Sequence, residues 1–159
     1  MPKPVLQAMV LADHVYQDRM TGKFIIAGTF ASILLTESQV TPVNPSATDP
    51  GEAHRVVGPI SRMGSPYLYI ALAEVHGEVP LDVKYVDLSD ASVLLEARIV
   101  VSALSPLLVA EYVVPLPPLP AMKIGTYSRD LLYDSEILGS WRVTVGKFPG
   151  QTGGAKELT

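Results

Sequence analysis

Two short stretches of this 159-residue sequence place histidine next to carboxylates at spacings that could bind a metal ion. In one of them Glu74 and His76 lie two positions apart, which puts both side chains on one face of a β-strand. Imidazole and carboxylate groups bind zinc and other divalent ions when further ligands converge on them. His54 could approach this strand end from a loop. The sequence therefore offers Glu74, His76 and His54 as a candidate metal site, and the alternative is a solvated hairpin end.

The other stretch is 13-DHVYQD-18, which contains Asp13, His14 and Asp18. An imidazole beside two carboxylates could serve as a general base or bind a metal. However, adjacent residues of a strand point to opposite faces, so Asp13 and His14 would not meet one ligand. We favour a polar strand end in which Asp13 or His14 bonds the backbone of the following turn.

Aspartate and tyrosine side chains suggest two further kinds of site. Asp82, Asp87 and Asp90 could bind calcium, as loop aspartates do, but they lack the spacing of an EF-hand. A solvated turn explains these carboxylates better. Three tyrosines on alternating strand positions could stack on sugars or peptides, although packing inside a sandwich is the commoner role of such residues: Tyr67, Tyr69 and Tyr112.

Catalytic signatures are otherwise missing from the sequence. It contains no G-x-S-x-G elbow, no phosphate-binding glycine loop and no H-E-x-x-H motif. It also has no cysteine, which excludes disulfides, zinc-thiolate sites and thiol catalysis. We therefore predict no catalytic residue and no cofactor.

Composition narrows the class of protein further. Apolar residues make up 48% and charged residues 18% of the chain, which is typical of a globular domain. A net charge of −4 with scattered Lys and Arg argues against nucleic-acid binding. The apolar segment 91–114 is interrupted by Glu96, Arg98 and Pro106, so it predicts two core strands and no membrane helix. With no signal peptide evident, we expect a soluble cytoplasmic protein.

Short apolar runs punctuated by Pro and Gly predict an all-β chain. We expect one domain, residues 1–146, folded as an antiparallel two-sheet β-sandwich of about 7–9 strands, immunoglobulin-like or C2-like and linked mostly by hairpins. A long surface loop at 36–66 and a flexible tail at 147–159 complete it. The predicted strands are 5–16, 23–30, 67–76, 79–88, 92–101, 107–116, 124–133 and 136–145.

Three segments resemble a family of small bacterial proteins of unknown function. They are 7-QAMVLADHV-15, 21-TGKFIIAGTF-30 and 125-GTYSRDLLYDSEILGSWRVTV-145. The shared pattern is an Ala-Asp-His near the start, a Thr-Gly-Lys turn before Gly-Thr-Phe, and a final Gly-x-Tyr hairpin ending in Gly-Ser. The resemblance implies a bacterial β-sandwich and carries over no catalytic residue.

The proline-rich segment 114-VPLPPLP-120 admits two interpretations. It satisfies P-x-x-P twice and could be a polyproline ligand, but it lacks basic flanking residues and lies between two patterned strands. We therefore interpret it as a crossover between the sheets. Without a convincing reactive cluster, the chain is best explained as a non-enzymatic binding or assembly module that contacts a protein partner or forms a homo-oligomer. Metal-dependent hydrolysis and carbohydrate or peptide binding are the alternatives.

Overall fold

The computed structural model describes residues 2–35, 65–119 and 123–147. The predicted loop 36–66, apart from Ser65 and Pro66, and the predicted tail, apart from Lys147, therefore lie outside the described residues. The regular structure of the described residues is entirely β. In chain order the strands are β1 (Val5–Gln17), β2 (Phe24–Thr29), β3 (Ser32–Leu35), β4 (Tyr67–Ala73), β5 (Glu78–Asp87), β6 (Ser92–Ser102), β7 (Ala110–Pro115), β8 (Gly125–Tyr133) and β9 (Glu136–Lys147).

These strands form two sheets. The first sheet has the order β2-β1-β4-β7 and the second has the order β3-β9-β8-β5-β6. Every pair is antiparallel except β3–β9, which is parallel. Apolar side chains from both sheets form one buried cluster, so the predicted all-β two-sheet sandwich is confirmed.

The alternation of side chains explains how the sequence selects these strands. In β5 the odd-numbered positions Val79, Leu81, Val83 and Tyr85 are at most 1% exposed, while the intervening residues lie on the outer face. The central strand β4 differs, because five of its seven residues are buried. Both faces of β4 are therefore covered, which matches its nearly continuous apolar sequence.

All eight predicted strands exist, with ends that lie within three residues of those predicted. β3 was not predicted, since its sequence SILL is too short to show a pattern. The expectation that hairpins link most strands was wrong. Only β1–β2, β5–β6 and β8–β9 are hairpins among the described strands, and both β4–β5 and β6–β7 pass from one sheet to the other.

The proline-rich segment connects β7 in the first sheet to β8 in the second, so the predicted crossover is confirmed. Leu116 and Leu119 are 3% and 6% exposed, whereas Pro117 and Pro118 between them are exposed. A polyproline helix has three residues per turn, which puts side chains three positions apart on the same side. The backbone N–H of Leu116 also donates to the carbonyl of Pro66 at 2.8 Å. The segment thus places two leucines in the core.

Candidate functional site

Strand β6 is the outermost strand of the second sheet and pairs only with β5 among the described strands. Although the sequence predicts a core strand, most of its residues are exposed, including Val93, Leu94 and Val100 at 49%, 40% and 59%. The register shifts between Tyr85 and Val86, which makes Leu94 an extra residue and sets Val93 opposite Val86 on the outer face. The sequence alternation predicts one face shared by Val93, Leu95, Ala97, Ile99 and Val101, and the bulge removes Val93 from that face.

Two contacts show which backbone groups of β6 point away from β5. The N–H of Ser102 donates to the hydroxyl of Tyr112 at 2.6 Å, and that hydroxyl donates back to the Ser102 carbonyl at 2.5 Å. Pro80, which lies opposite Val100, has no N–H to donate to β6. Because hydrogen-bonded and free positions alternate along an antiparallel strand, the N–H and C=O groups of Glu96, Arg98 and Val100 face the open edge.

The outer face of β5 and β6 carries opposite charges in cross-strand pairs. Arg98 donates to both carboxylate oxygens of Asp82, at 2.7 and 3.0 Å. Lys84 lies 3.2 Å from the carboxylate of Glu96. The hydrogen bond from Arg98 lowers the pKa of Asp82, which stays ionised at neutral pH. Each pair contributes little to stability at an exposed site, but together they fix an alternating pattern of charge.

The core-facing side of β6 is incompletely covered by the first sheet. Leu95 and Ile99 are only half-buried, although they lie opposite the buried residues Tyr85 and Leu81. Ala97, opposite the fully buried Val83, is exposed. This strand therefore presents apolar side chains that another strand could cover.

The connection from β6 to β7 adds a second apolar surface, residues 103–109, which we name the apolar loop. Leu104 and Leu107 are 101% and 94% exposed, and Leu108 and Val109 are 54% exposed each. The loop is held in shape by hydrogen bonds to Ser105, whose carbonyl accepts from the N–H of Leu108 at 3.1 Å. Apolar side chains held at the surface in this way are typical of an interaction site.

The predicted metal site is only partly within the described residues. β4 ends at Ala73, so Glu74 and His76 lie in the exposed connection to β5, and the prediction that they share one face of a strand was wrong. Glu74 has a φ of 57°, which breaks the strand alternation there. His54 lies outside the described residues, and the described residues contain no group of three potential metal ligands. The three-residue site stays a prediction.

In the stretch 13–18 it is Asp18 that bonds the following turn, whereas the favoured interpretation gave that role to Asp13 or His14. Its carboxylate accepts from the N–H of Met20 at 2.9 Å and from the hydroxyl of Thr21 at 2.7 Å, and these bonds lower its pKa. His14 stacks on Tyr16 with ring centroids 5.8 Å apart. Asp13 lies apart from this turn, and its buried Oδ1 has no hydrogen-bond partner within the part of the chain that the structure describes. The structure therefore does not combine Asp13, His14 and Asp18 into one site.

The three aspartates considered as calcium ligands accept hydrogen bonds from other residues of the protein. Asp87 accepts from the N–H and the hydroxyl of Ser89, at 2.9 and 2.6 Å. Asp90 accepts from the N–H of Ser92 at 2.9 Å, and Asp82 pairs with Arg98 as described above. Only Asp90 lies in a solvated turn, as favoured from the sequence, because Asp82 lies within β5 and Asp87 is 4% exposed at the end of that strand.

The three tyrosines do not share one face. Tyr69 lies opposite Val113, whereas Tyr112 lies opposite the core residue Ile70. Tyr69 is only 9% exposed, packs against Phe24 and donates its hydroxyl to Glu111. Tyr67 is half-buried. The structure therefore does not bring Tyr67, Tyr69 and Tyr112 together as a stacking platform.

Arg129 is a buried residue that the sequence interpretation missed. Its side chain is 0% exposed on the core face of β8, and its guanidinium lies 4.4 Å from the ring centroid of Tyr85. None of its three nitrogens has a hydrogen-bond partner among the described residues. Burial lowers the pKa of Arg129 to about 10. The signal in the sequence is the alternation of Tyr127, Arg129 and Leu131, which places an arginine on an otherwise core-facing row.

Comparisons with known proteins do not assign this chain to a group. No protein-family model matches it, and no curated protein matches it. Within the described ranges no helix has the length and apolar character needed to cross a membrane. The resemblance carried by the Ala-Asp-His and Thr-Gly-Lys segments stays a prediction. The geometry of β6 and the apolar loop is therefore the basis for a functional proposal.

Proposed function

We propose that this chain is a non-enzymatic assembly module that binds a protein partner through the edge of β6 and the apolar loop. The observation that carries the proposal is the full exposure of Leu104 and Leu107 directly beyond an open strand edge. The proposal includes the cytoplasmic location and the bacterial origin expected from the sequence.

The two surfaces supply different parts of a binding energy. An open edge offers backbone donors and acceptors that another strand can use. Burying a fully exposed leucine side chain contributes about 1.5–3 kcal/mol, so Leu104 and Leu107 together offer a substantial apolar contribution. The ion pairs on the outer face of β5 and β6 add selectivity, because they penalise partners with the wrong charge pattern.

Light scattering and partner capture test this function with a double variant, Leu104→Ser/Leu107→Ser. We expect the wild-type chain to be associated, either with itself or with a purified partner, and the double variant to lose that association by about tenfold or more. The matched control is Met20→Ser, which removes an apolar side chain that is 93% exposed in the β1–β2 turn. A wild-type chain that stays monomeric at high concentration and retains no partner overturns the proposal.

A further inference from the structure

We propose that the partner at the β6 edge is a second copy of this chain, paired antiparallel to β6 about a twofold axis at Ala97. This inference rests on the proposed function and adds the identity of the partner. The resulting contact joins two five-stranded sheets, each with β6 at its edge, into one continuous sheet. Such a twofold contact is closed, so it makes a dimer and does not extend into a fibre.

Backbone geometry restricts the pairing to a few registers. The edge-facing groups belong to Glu96, Arg98 and Val100, and Ser102 is already capped by the hydroxyl of Tyr112. Two paired β6 strands must therefore set edge-facing residues opposite one another, as an axis at Ala97 does for Glu96 and Arg98. A twofold axis at Ala97 sets Glu96 opposite the partner's Arg98, and by symmetry Arg98 opposite the partner's Glu96.

Charge selects this register over its neighbours. An axis at Arg98 sets Arg98 opposite itself, and an axis at Glu96 sets Glu96 opposite itself, so both place like charges in direct cross-strand contact. The axis at Ala97 instead continues the existing ion pairs. Four charged side chains then lie in a row across the two chains: Asp82, Arg98, the partner's Glu96 and the partner's Lys84. The sign of charge alternates from each side chain to the next.

The apolar side of β6 is complementary in the same register. Leu95 lies opposite the partner's Ile99, and both are half-buried in the single chain. Ala97 lies opposite its own copy at a position that is not hydrogen-bonded across the interface, where two strands approach to about 4.5 Å between Cα atoms. Beyond these residues Val100 comes opposite the partner's Leu94, the extra residue of the bulge, so the hydrogen-bonded pairs of the interface are confined to Glu96 and Arg98. One register thus satisfies the backbone, charge and apolar requirements together.

Charge reversal gives a test that depends on the register. Glu96→Arg sets arginine against the partner's Arg98, and Arg98→Glu sets glutamate against the partner's Glu96. We expect each single variant to weaken self-association about tenfold or more in sedimentation or light scattering. Mixing the two single variants restores opposite charges at both positions across the interface, so we expect a heterodimer that forms more tightly than either homodimer. Arg142→Glu, at an exposed position of β9, controls for the change of net charge.

A cross-link provides an independent measurement. The chain has no cysteine, so Ala97→Cys introduces a single thiol that can form a disulfide only with another copy. Positions that are directly opposite but not hydrogen-bonded have Cβ atoms close together, and we expect rapid oxidation to a covalent dimer. Val100→Cys is the control. In this register position 100 lies opposite the partner's Leu94 and not opposite its own copy, so the two thiols should not cross-link.

The outcomes separate this inference from the proposed function. Single charge variants that dimerise like the wild type, a mixture that forms no heterodimer, or absence of the Ala97→Cys cross-link each overturn the twofold pairing. If Leu104→Ser/Leu107→Ser nevertheless abolishes association, the assembly function stands with another partner or surface. A monomeric wild-type chain overturns the dimer, and capture of a purified partner then decides the proposed function by itself.

Discussion

Arg129 introduces a positive charge between the two sheets, where its three nitrogens have no acceptor among the described residues. Desolvating a guanidinium costs several kcal/mol, and the contact with the ring of Tyr85 offsets only about 2 kcal/mol of that cost. Tyr85 in turn stacks on Tyr127 with centroids 5.5 Å apart. The cluster therefore packs well but is electrostatically unfavourable.

Replacement of this charge is expected to stabilise the fold. Arg129→Met keeps most of the side-chain volume and removes the buried cation, so the free energy of unfolding should rise by about 1 kcal/mol or more. Urea denaturation measures the change, with Arg142→Met as the exposed control expected to stay within about 0.5 kcal/mol of the wild type. A loss above ~2 kcal/mol in Arg129→Met contradicts this account, because it shows that the guanidinium has a partner.

Tyr69 is one of the groups that make the stability of the fold depend on alkaline pH. Burial, with the hydrogen bond to Glu111, raises the pKa of Tyr69 from 10.0 to about 12. Between these two values the unfolded chain loses the proton while the folded chain keeps it, so stability is complete below pH 10 and falls as the pH rises toward 12.

We therefore expect Tyr69→Phe to lose less stability than the wild type between pH 10 and 12, even though it lacks the bond to Glu111 at neutral pH. Denaturation across this pH range measures the difference. Burial also raises the pKa of Tyr127, so part of the alkaline slope should remain. Identical slopes in the two proteins contradict a raised pKa at Tyr69.

At the scale of elements, the proline-rich segment works through its leucines. Prolines end β7, since they cannot donate to a ladder, and they hold Leu116 and Leu119 toward the core. Leu119→Ala leaves a cavity and should lower the free energy of unfolding by about 2–4 kcal/mol.

Pro118→Ala is the matched control for that substitution, because Pro118 is exposed in the same segment. It should change the free energy of unfolding by less than about 1 kcal/mol through the entropy of the unfolded chain. Thermal or urea denaturation measures both variants. Equal losses would show that stiffness of the segment, and not burial of Leu119, supports the fold.

Strand β6 shows how much an element depends on its position. Its sequence alternates like that of a core strand, but it lies at the edge of the second sheet and leaves Ala97 exposed. Apolar side chains on an edge are an aggregation hazard unless something limits pairing. Here the Tyr112 hydroxyl caps Ser102 and the ion pairs at Glu96 and Arg98 restrict the register.

At the scale of the whole molecule, the two sheets meet closely at particular positions. A side chain added at Gly139 in β9 would collide with Leu6 of β1, so this glycine permits the sheets to approach. Trp141 donates its indole N–H to the carbonyl of Phe30 at 2.9 Å. This bond joins β9 to the connection between β2 and β3. These contacts join residues more than a hundred positions apart.

Local sequence was sufficient to predict eight of the nine described strands and the class of fold. Period-two alternation in segments such as β5 and β9 reflects one buried and one solvated face, and that property is local. The absence of cysteine and of catalytic motifs likewise needs no structure. The crossover at 114–120 was also predictable, because proline excludes a central ladder.

Only the tertiary structure decided which strands are neighbours, and that determined the candidate site. Alternation says that a strand has an apolar face but not whether another strand covers it, since sheet order depends on contacts between distant segments. The open edge of β6 and the burial of Arg129 both follow from sheet order. Glu74 and His76 do not share a strand face, because β4 ends at Ala73 and the chain then passes from the first sheet to the second.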